Sequence, residues 1–336
     1  MSAVIRGTGS SLPESKLTNA DLERMVDTSE EWIVVRTGIH ERRILKAGEA
    51  TSDLAARAGR GALEMAALDP DEIDVIVVAT TTPDMHTPST ANLVQRKLNI
   101  KRPIASFDLN AACSGFVYGL EVTNALLASG RYKRALLVGA EAMTRFVDYQ
   151  DRQVSILFGD GAGALVLEAD EGHGDVLAIT LKADPSVGDL ISIPGGAAAL
   201  PASPYMLTQR QQYLRMDGRQ VFKLAVQALE QVTHDTLKDV GWPIEEVDHF
   251  VLHQANRRIL KAVAERLGIP DEKLPTNLAR TGNTAAASIP ILLDECQRAA
   301  RFRPGDQILC ATFGAGMTWA ACALRWSLEL PPPVSV

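Results

Sequence analysis

Apolar residues fall into two rhythms along this chain. Short unbroken runs, such as Val75-Ile-Val-Val-Ala79 and the segment Arg134-Ala-Leu-Leu-Val-Gly139, have strand length and branched side chains, the pattern of strands buried on both faces. Ala3–Arg6, Pro103–Phe107, His249–His253 and Gln307–Cys310 read the same way. Longer stretches carry apolar residues at helical spacing: Ser52–Leu68, the segment after Cys113 that Gly130 closes, and Val221–Val240. Thr18-Asn-Ala-Asp-Leu and Thr28-Ser-Glu-Glu-Trp have the residue types of helix starts. Gly7-Thr-Gly-Ser-Ser-Leu-Pro13 lacks the full GxGxxG spacing and reads as a strand-end turn. Strands alternating with helices give an α/β protein.

The rhythm repeats. Helix, turn and strand recur as Ser52–Leu68, Asp69–Asp74, Val75–Ala79 and again as Val221–Val240, Pro243–Asp248, His249–His253. Asp74 and Asp248 lie 174 residues apart, and Leu136 and Ile308 lie 172 apart. Two similar offsets predict a duplicated unit, with halves 1–173 and 174–336. Under this alignment Cys113 corresponds to a position near Asn283, and both precede a helix. Packing such halves together brings equivalent helix starts to one junction. Residues 184–215 break the rhythm with Asp184-Pro-Ser-Val-Gly-Asp, Pro194-Gly-Gly and Leu200-Pro-Ala-Ser-Pro, and read as a lid, an interface element or a solvated linker.

Composition narrows the function classes. Hydrophobic residues at 46% and charged residues at 22% predict a well-packed globular protein. A net charge of −7 argues against general nucleic-acid binding. No apolar run reaches membrane-spanning length, and the N-terminus lacks a signal-peptide pattern. Four cysteines without a CxxC pair suggest free thiols in a reducing, cytoplasmic setting. The tail from Pro331 to Val336 is expected to fray.

Candidate chemistry centres on Asp108-Leu-Asn-Ala-Ala-Cys-Ser-Gly115. Cys113 falls on a strand-to-helix turn, where the helix dipole favours a thiolate, among small neighbours that admit a substrate. A nucleophile and a buried structural cysteine are both open readings. His253-Gln-Ala-Asn256 follows a strand, Gly282-Asn-Thr-Ala-Ala-Ala-Ser288 opens a helix, and Thr312-Phe-Gly-Ala-Gly-Met-Thr-Trp319 is a glycine turn. Together they supply a thiol, an imidazole, an amide and backbone donors. Cys, His, Asn is also the order of papain-like proteases, but their cysteine signature and disulfide-like spacing are absent, and the duplication does not fit.

In combination, Glu31-Trp-Ile-Val-Val-Arg-Thr-Gly, Asn110-Ala-Ala-Cys-Ser-Gly, Phe158-Gly-Asp-Gly-Ala-Gly and the three motifs above resemble the β-ketoacyl-acyl-carrier-protein synthases III of the thiolase superfamily, from Gly7 to about Trp326. The resemblance implies a duplicated five-layered αβαβα fold, a homodimer, and catalysis by Cys113, His253 and Asn283. Cys113 would take the acyl group of a coenzyme A thioester, a substrate rather than a cofactor, with no metal. Malonyl-acyl-carrier-protein would then lose CO2 and attack the acyl-cysteine. Backbone N–H groups of Cys113 and Gly316 would form the oxyanion hole, and Phe313 would pack beside the nucleophile. Trp32 and Arg152 would stack on adenine, Arg36 would meet phosphate, and Gly218, Phe222 and Asn256 would line the pantetheine tunnel. Arg257, Arg258, Lys261 and Arg266, with Lys223, form a basic set suited to an acidic carrier protein. No nucleic-acid or membrane partner is implied.

Some positions depart from the family pattern: His40 for a frequent Arg, Ala315 within a usual Gly-Gly-Gly, Met317 for Phe, and a longer 184–215 region. Thr87 stands where many relatives carry Phe at the end of an acyl pocket reached across the dimer, so medium or long primers are expected. A secondary-metabolism synthase or acyltransferase of the same fold, and a non-catalytic assembly subunit, are the competing functions. Retention of Cys113, His253 and Asn283 argues against the second.

Overall fold

The computed structural model describes residues 2–172 and 174–329; the tail from Pro331 to Val336, expected to fray, lies outside them. Two sheets organise the chain. The first runs, edge to edge, Ser2–Ser11, Asp160–Asp170, Arg134–Ala142, Val75–Ala79, Ala105–Leu109. Its second strand runs antiparallel to both neighbours, and its last three strands are parallel. The second runs Val176–Ala183, Thr318–Arg325, Gln307–Gly314, His249–Leu252 with the same directions in the same order. Among the described residues it has no counterpart of the Ala105–Leu109 edge strand.

Five layers follow from where the apolar side chains point. Val75, Val77, Leu137 and Leu165 of the first sheet face Val251, Ile308, Cys310 and Ala320 of the second across two helices, Gly115–Ala128 and Ser288–Arg298. Alternate residues of the first sheet, Ile76, Val78, Leu136 and Val138, pack outward on the Thr51–Met65 and Thr90–Lys97 helices. Phe250, Leu252, Leu309 and Ala311 pack outward on Gly218–Val240 and Arg257–Leu267. Both central helices are therefore buried on most sides, which requires the apolar Phe116–Leu127 sequence. The α/β, five-layered expectation holds.

One local expectation changes. The Gly7–Pro13 segment is not a strand-end turn, because the first strand continues to Ser11 with an irregularity between Ile5 and Gly7. Its glycines serve close packing: a Cβ on Gly9 would stand 2.2 Å from the Ala58 carbonyl oxygen of the overlying helix. Both helix starts fall where expected: Thr18 caps Asn19–Glu23, and within Thr28-Ser-Glu-Glu-Trp Ser29 caps Glu30–Thr37.

Residues 184–215 form neither a plain linker nor one loop. They hold a 3-10 turn at Pro185–Leu190, a short helix at Pro204–Thr208, and a two-residue strand, Ile191–Ser192, paired with Arg215–Met216.

Candidate active site

Cys113 lies in a 3-10 turn, Ala112–Ser114, between the Ala105–Leu109 strand and the Gly115–Ala128 helix. Ala112 is held at φ 49°, a costly conformation for a residue with a Cβ, and the Asn110 amide oxygen accepts a hydrogen bond from its N–H. The hairpin of the second sheet clamps the turn. Thr312 Oγ1 donates to the Cys113 carbonyl at 2.9 Å, Ser114 Oγ to the Thr318 carbonyl at 3.1 Å, and Thr318 Oγ1 to the Ala111 carbonyl at 3.0 Å. Only glycine fits at 314, where a Cβ would lie 2.7 Å from the Cys113 nitrogen.

The second half builds the same turn. Ala285 has φ 45°, and its N–H donates to the Asn283 amide oxygen at 2.8 Å. Asn283 therefore corresponds to Asn110, and Cys113 to Ala286, three residues on from the pairing expected. The helix start is shared as anticipated, but the two functional side chains come from different positions of the turn. With Oδ1 taken by Ala285, Asn283 has its NH2 donors left for the cavity it lines.

His253 follows the His249–Leu252 strand, its N–H donating to the Ala311 carbonyl. Its Nδ1 is 2.7 Å from Ser288 Oγ. Desolvation pushes its pKa down to about 4, so the ring is neutral at ordinary pH.

The Cys113 thiol departs from expectation. It opens partly onto the cavity, yet burial, and secondarily the Glu141 carboxylate, push its pKa up to about 12. Desolvation outweighs the favourable helix end, so the resting sulfur is a thiol. Glu141 is a site residue the motifs did not single out. It is fully buried, and it accepts from Thr82 Oγ1 at 2.6 Å and from the N–H and hydroxyl of Thr81. Burial raises its pKa to about 7 against those hydrogen bonds. A lone acid in the apolar run Leu136–Ala142 was the available signal.

Glu141→Gln removes a negative charge near the sulfur, so the thiol pKa falls and the pH–rate profile of Cys113 alkylation moves to lower pH. An unmoved profile would count against the coupling. Stability should also respond. Glu141 rises from 4.5 to about 7 on folding, so its protonated form favours the fold; that contribution is present below pH 4.5 and lost as pH rises through 7. The difference amounts to roughly 3 kcal/mol, and the variant should lose most of this slope in denaturant titrations.

Cys113, His253 and Asn283 share one cavity of about 1450 Å³. Phe313, Gly316, Trp32, Arg36, Arg152, Gly218, Phe222, Lys223, Asn256 and Arg258 line it too. The guanidinium carbons of Arg36 and Arg152 stand 4.3 and 5.3 Å from the Trp32 ring centroid. Arg258 lies over Phe222 at 5.4 Å. Asn256 caps the Arg257–Leu267 helix by accepting from the Arg258 N–H. Of the other residues in the basic set, Arg257 packs its stem at Gly38, Lys261 is exposed beside Glu265, and Arg266 pairs with Glu230 at 2.7 Å. Thr87 is exposed and outside the cavity of the single chain, although Met85 and His86 border it. Residues Ile191, Ile193, Gly195, Gln212 and Leu214 of the 184–215 region form part of the wall.

A thiol, a neutral imidazole and an amide thus line one cavity in a fold of two similar sheets, the residue set that the thiolase-like resemblance leads one to expect. Family models for 3-oxoacyl-[acyl-carrier-protein] synthase III match residues 107–185, and for its C-terminal part residues 237–326. The β-ketoacyl-[acyl-carrier-protein] synthase III of Roseiflexus castenholzii is 46% identical over 325 residues, covering 97% of this chain and 98% of the relative. Crystal structures of 3-oxoacyl-acyl-carrier-protein synthase III superpose with TM-scores of 0.89 for the Aquifex aeolicus protein, at 44% identity over 96% of this chain and 100% of that one, and 0.91 for the Pseudomonas aeruginosa protein, at 40% identity over 98% and 100%. The chain belongs to the β-ketoacyl-[acyl-carrier-protein] synthase III family.

Proposed function

We propose that this chain joins an acyl-CoA primer to malonyl-acyl-carrier-protein by decarboxylative condensation, the step that starts type II fatty acid synthesis. The observation that carries the reading is the convergence of Cys113 with two neutral donors, His253 and Asn283, in a cavity bordered by Trp32 and two arginines. In the first half-reaction the Cys113 sulfur bonds to the acyl carbonyl carbon, the bond to the CoA sulfur breaks, and the thiol proton leaves with CoA. The N–H groups of Cys113 and Gly316 hold the oxyanion. In the second, the bond between the malonyl carboxylate and methylene breaks and CO2 leaves. The enolate oxygen is held by His253 Nε2–H and the Asn283 NH2. Its carbon attacks the acyl carbonyl, the bond to Cys113 breaks, and the sulfur regains a proton. An imidazole with a pKa near 4 is a poor base for a thiol near 12 but a good neutral donor, which supports this division.

For the coenzyme, Trp32 and Arg152 would take the adenine, with Arg152 swinging outward to admit it, and Arg36 a phosphate. Gly218, Phe222 and Asn256 would line the arm. The apolar wall of Met143, Phe146, Ile156, Leu157 and Leu214 supports medium or long primers. The half-exposed edge strand Ala105–Leu109 supports a homodimer that continues the sheet, through which Thr87 would reach the partner's pocket. Four free cysteines support a cytoplasmic setting. Matched strand orders and matched Asn turns support duplicated halves at 1–173 and 174–336. Mass spectrometry after mixing with acetyl- through tetradecanoyl-CoA tests the reading; if no primer adds acyl mass to Cys113, it is wrong.

Carrier docking is assigned to Lys223, Arg257, Arg258 and Lys261. Arg258 borders the cavity, and Lys261 is exposed beside Glu265. Arg258→Glu and Lys261→Glu should each raise KM for malonyl-carrier roughly five-fold, equivalent to about 1 kcal/mol, and less at high salt. In Lys261→Glu, whose site lies outside the cavity lining, acylation by acyl-CoA should be nearly unchanged. Unaltered KM in both variants would place docking elsewhere.

A further inference from the structure

His253 is neutral and both faces of its function depend on which ring nitrogen carries the hydrogen. A neutral imidazole donates from one nitrogen and accepts at the other, and the partner of the first nitrogen decides the second. At Nδ1 that partner is neither a carboxylate nor a carbonyl, which would demand an N–H there. It is the Ser288 hydroxyl, at 2.7 Å. His253 is 3% and Ser288 2% exposed, so water does not compete freely for either group.

Ser288 opens the Ser288–Arg298 helix. A helical serine often returns its hydroxyl to a carbonyl one turn back. Among the described residues Ser288 Oγ makes no such bond, and the His253 ring nitrogen is its hydrogen-bond partner. If Nδ1 carried the hydrogen, the serine would accept it and leave its own O–H buried without an acceptor. If Nδ1 is bare, the serine donates to it and both groups are satisfied. We propose that Ser288 is a positioning residue that donates to His253 Nδ1 and so holds the ring as its Nε2–H tautomer, which presents a donor to the cavity. The role this gives the donor rests on the condensation reading above, where the enolate oxygen needs hydrogen-bond donors; a bare Nε2 would meet that oxygen with a lone pair. The helix that begins at Ser288 also follows the Asn283 turn, so one segment, 283–288, positions both proposed enolate donors.

The test uses the full chain with nitrogen-15 labelled histidine, the His253 signals being assigned by their loss in His253→Gln. Three proteins are compared: wild type, Ser288→Ala and Ser288→Thr, the last keeping a hydroxyl. The expected spectra show Nε2 protonated and Nδ1 bare in wild type and in Ser288→Thr, with the protonation redistributed between both nitrogens in Ser288→Ala. CO2 release from malonyl-carrier should fall about 10- to 100-fold in Ser288→Ala, in kcat rather than KM, as for loss of an orienting partner of a functional histidine. Acylation of Cys113 should hold within about two-fold, and Ser288→Thr should recover most of the lost decarboxylation. A wild-type ring protonated at Nδ1, or a Ser288→Ala ring unchanged in tautomer, overturns the proposal. Equal loss of both half-reactions with an unchanged spectrum would mark Ser288 as merely structural and overturn it too. Wild-type protein that neither acylates nor releases CO2 would instead sink the condensation reading, while the spectra still decide the tautomer.

Discussion

Cys113→Ala protein, mixed with acyl-CoA, should gain no acyl mass. The sulfur is proposed as the atom that holds the primer. Its replacement removes the bond-forming atom itself, so the loss is total rather than graded. The fold should tolerate the change. The turn is held by backbone groups, through Thr312, Thr318 and Ser114, and none of these bonds involves the sulfur. Binding of acyl-CoA, measured by calorimetry, should therefore persist while acylation disappears. CO2 release from malonyl-carrier should remain measurable, because its proposed donors lie on other segments. An acyl adduct that survives in Cys113→Ala would place the nucleophile elsewhere, and the three remaining cysteines, all buried in the core, would be the first to map.

His253→Ala and Asn283→Asp should each lower CO2 release by about 100-fold or more, the usual cost of losing an oxyanion donor. The aspartate variant is the more informative. It keeps the oxygen that accepts from the Ala285 N–H at 2.8 Å, so the turn should stand. It replaces the NH2 donors with an oxygen that repels an enolate. Acylation of Cys113 should fall far less in both variants, since its oxyanion is assigned to backbone N–H groups of Cys113 and Gly316. Rapid-quench acylation and radiolabelled CO2 release, measured on the same preparations, separate the two half-reactions. Equal losses in both would remove the division of labour between the backbone donors and the side-chain donors.

Much of this molecule is legible in its sequence because burial writes itself into composition. Val75–Ala79 and Arg134–Gly139 are apolar on every residue that the sheets cover on both faces, and the helix after Cys113 is apolar nearly all round because it lies between the sheets. The family motifs carried Cys113, His253 and Asn283, and all three line one cavity. The repeat was also visible, as offsets of 174 and 172.

Other features depended on distances that no local pattern encodes. The first strand runs through Gly7 and Gly9 because a helix some fifty residues away packs directly on their backbone, so glycines that look like a turn are a contact surface. Arg266 pairs with Glu230 of another helix, a partner that spacing along the chain does not show. Ser288 and Glu141 acquire importance only through neighbours 35 and about 60 residues distant, His253 and the Thr80–Thr82 segment. The thiol shows the contrast most clearly. Sequence alone determined that Cys113 sits at a helix start, which favours ionisation. Tertiary structure decided the outcome, because a helix end is a short-range property of consecutive residues, whereas desolvation and the field of Glu141 come from segments folded over the sulfur.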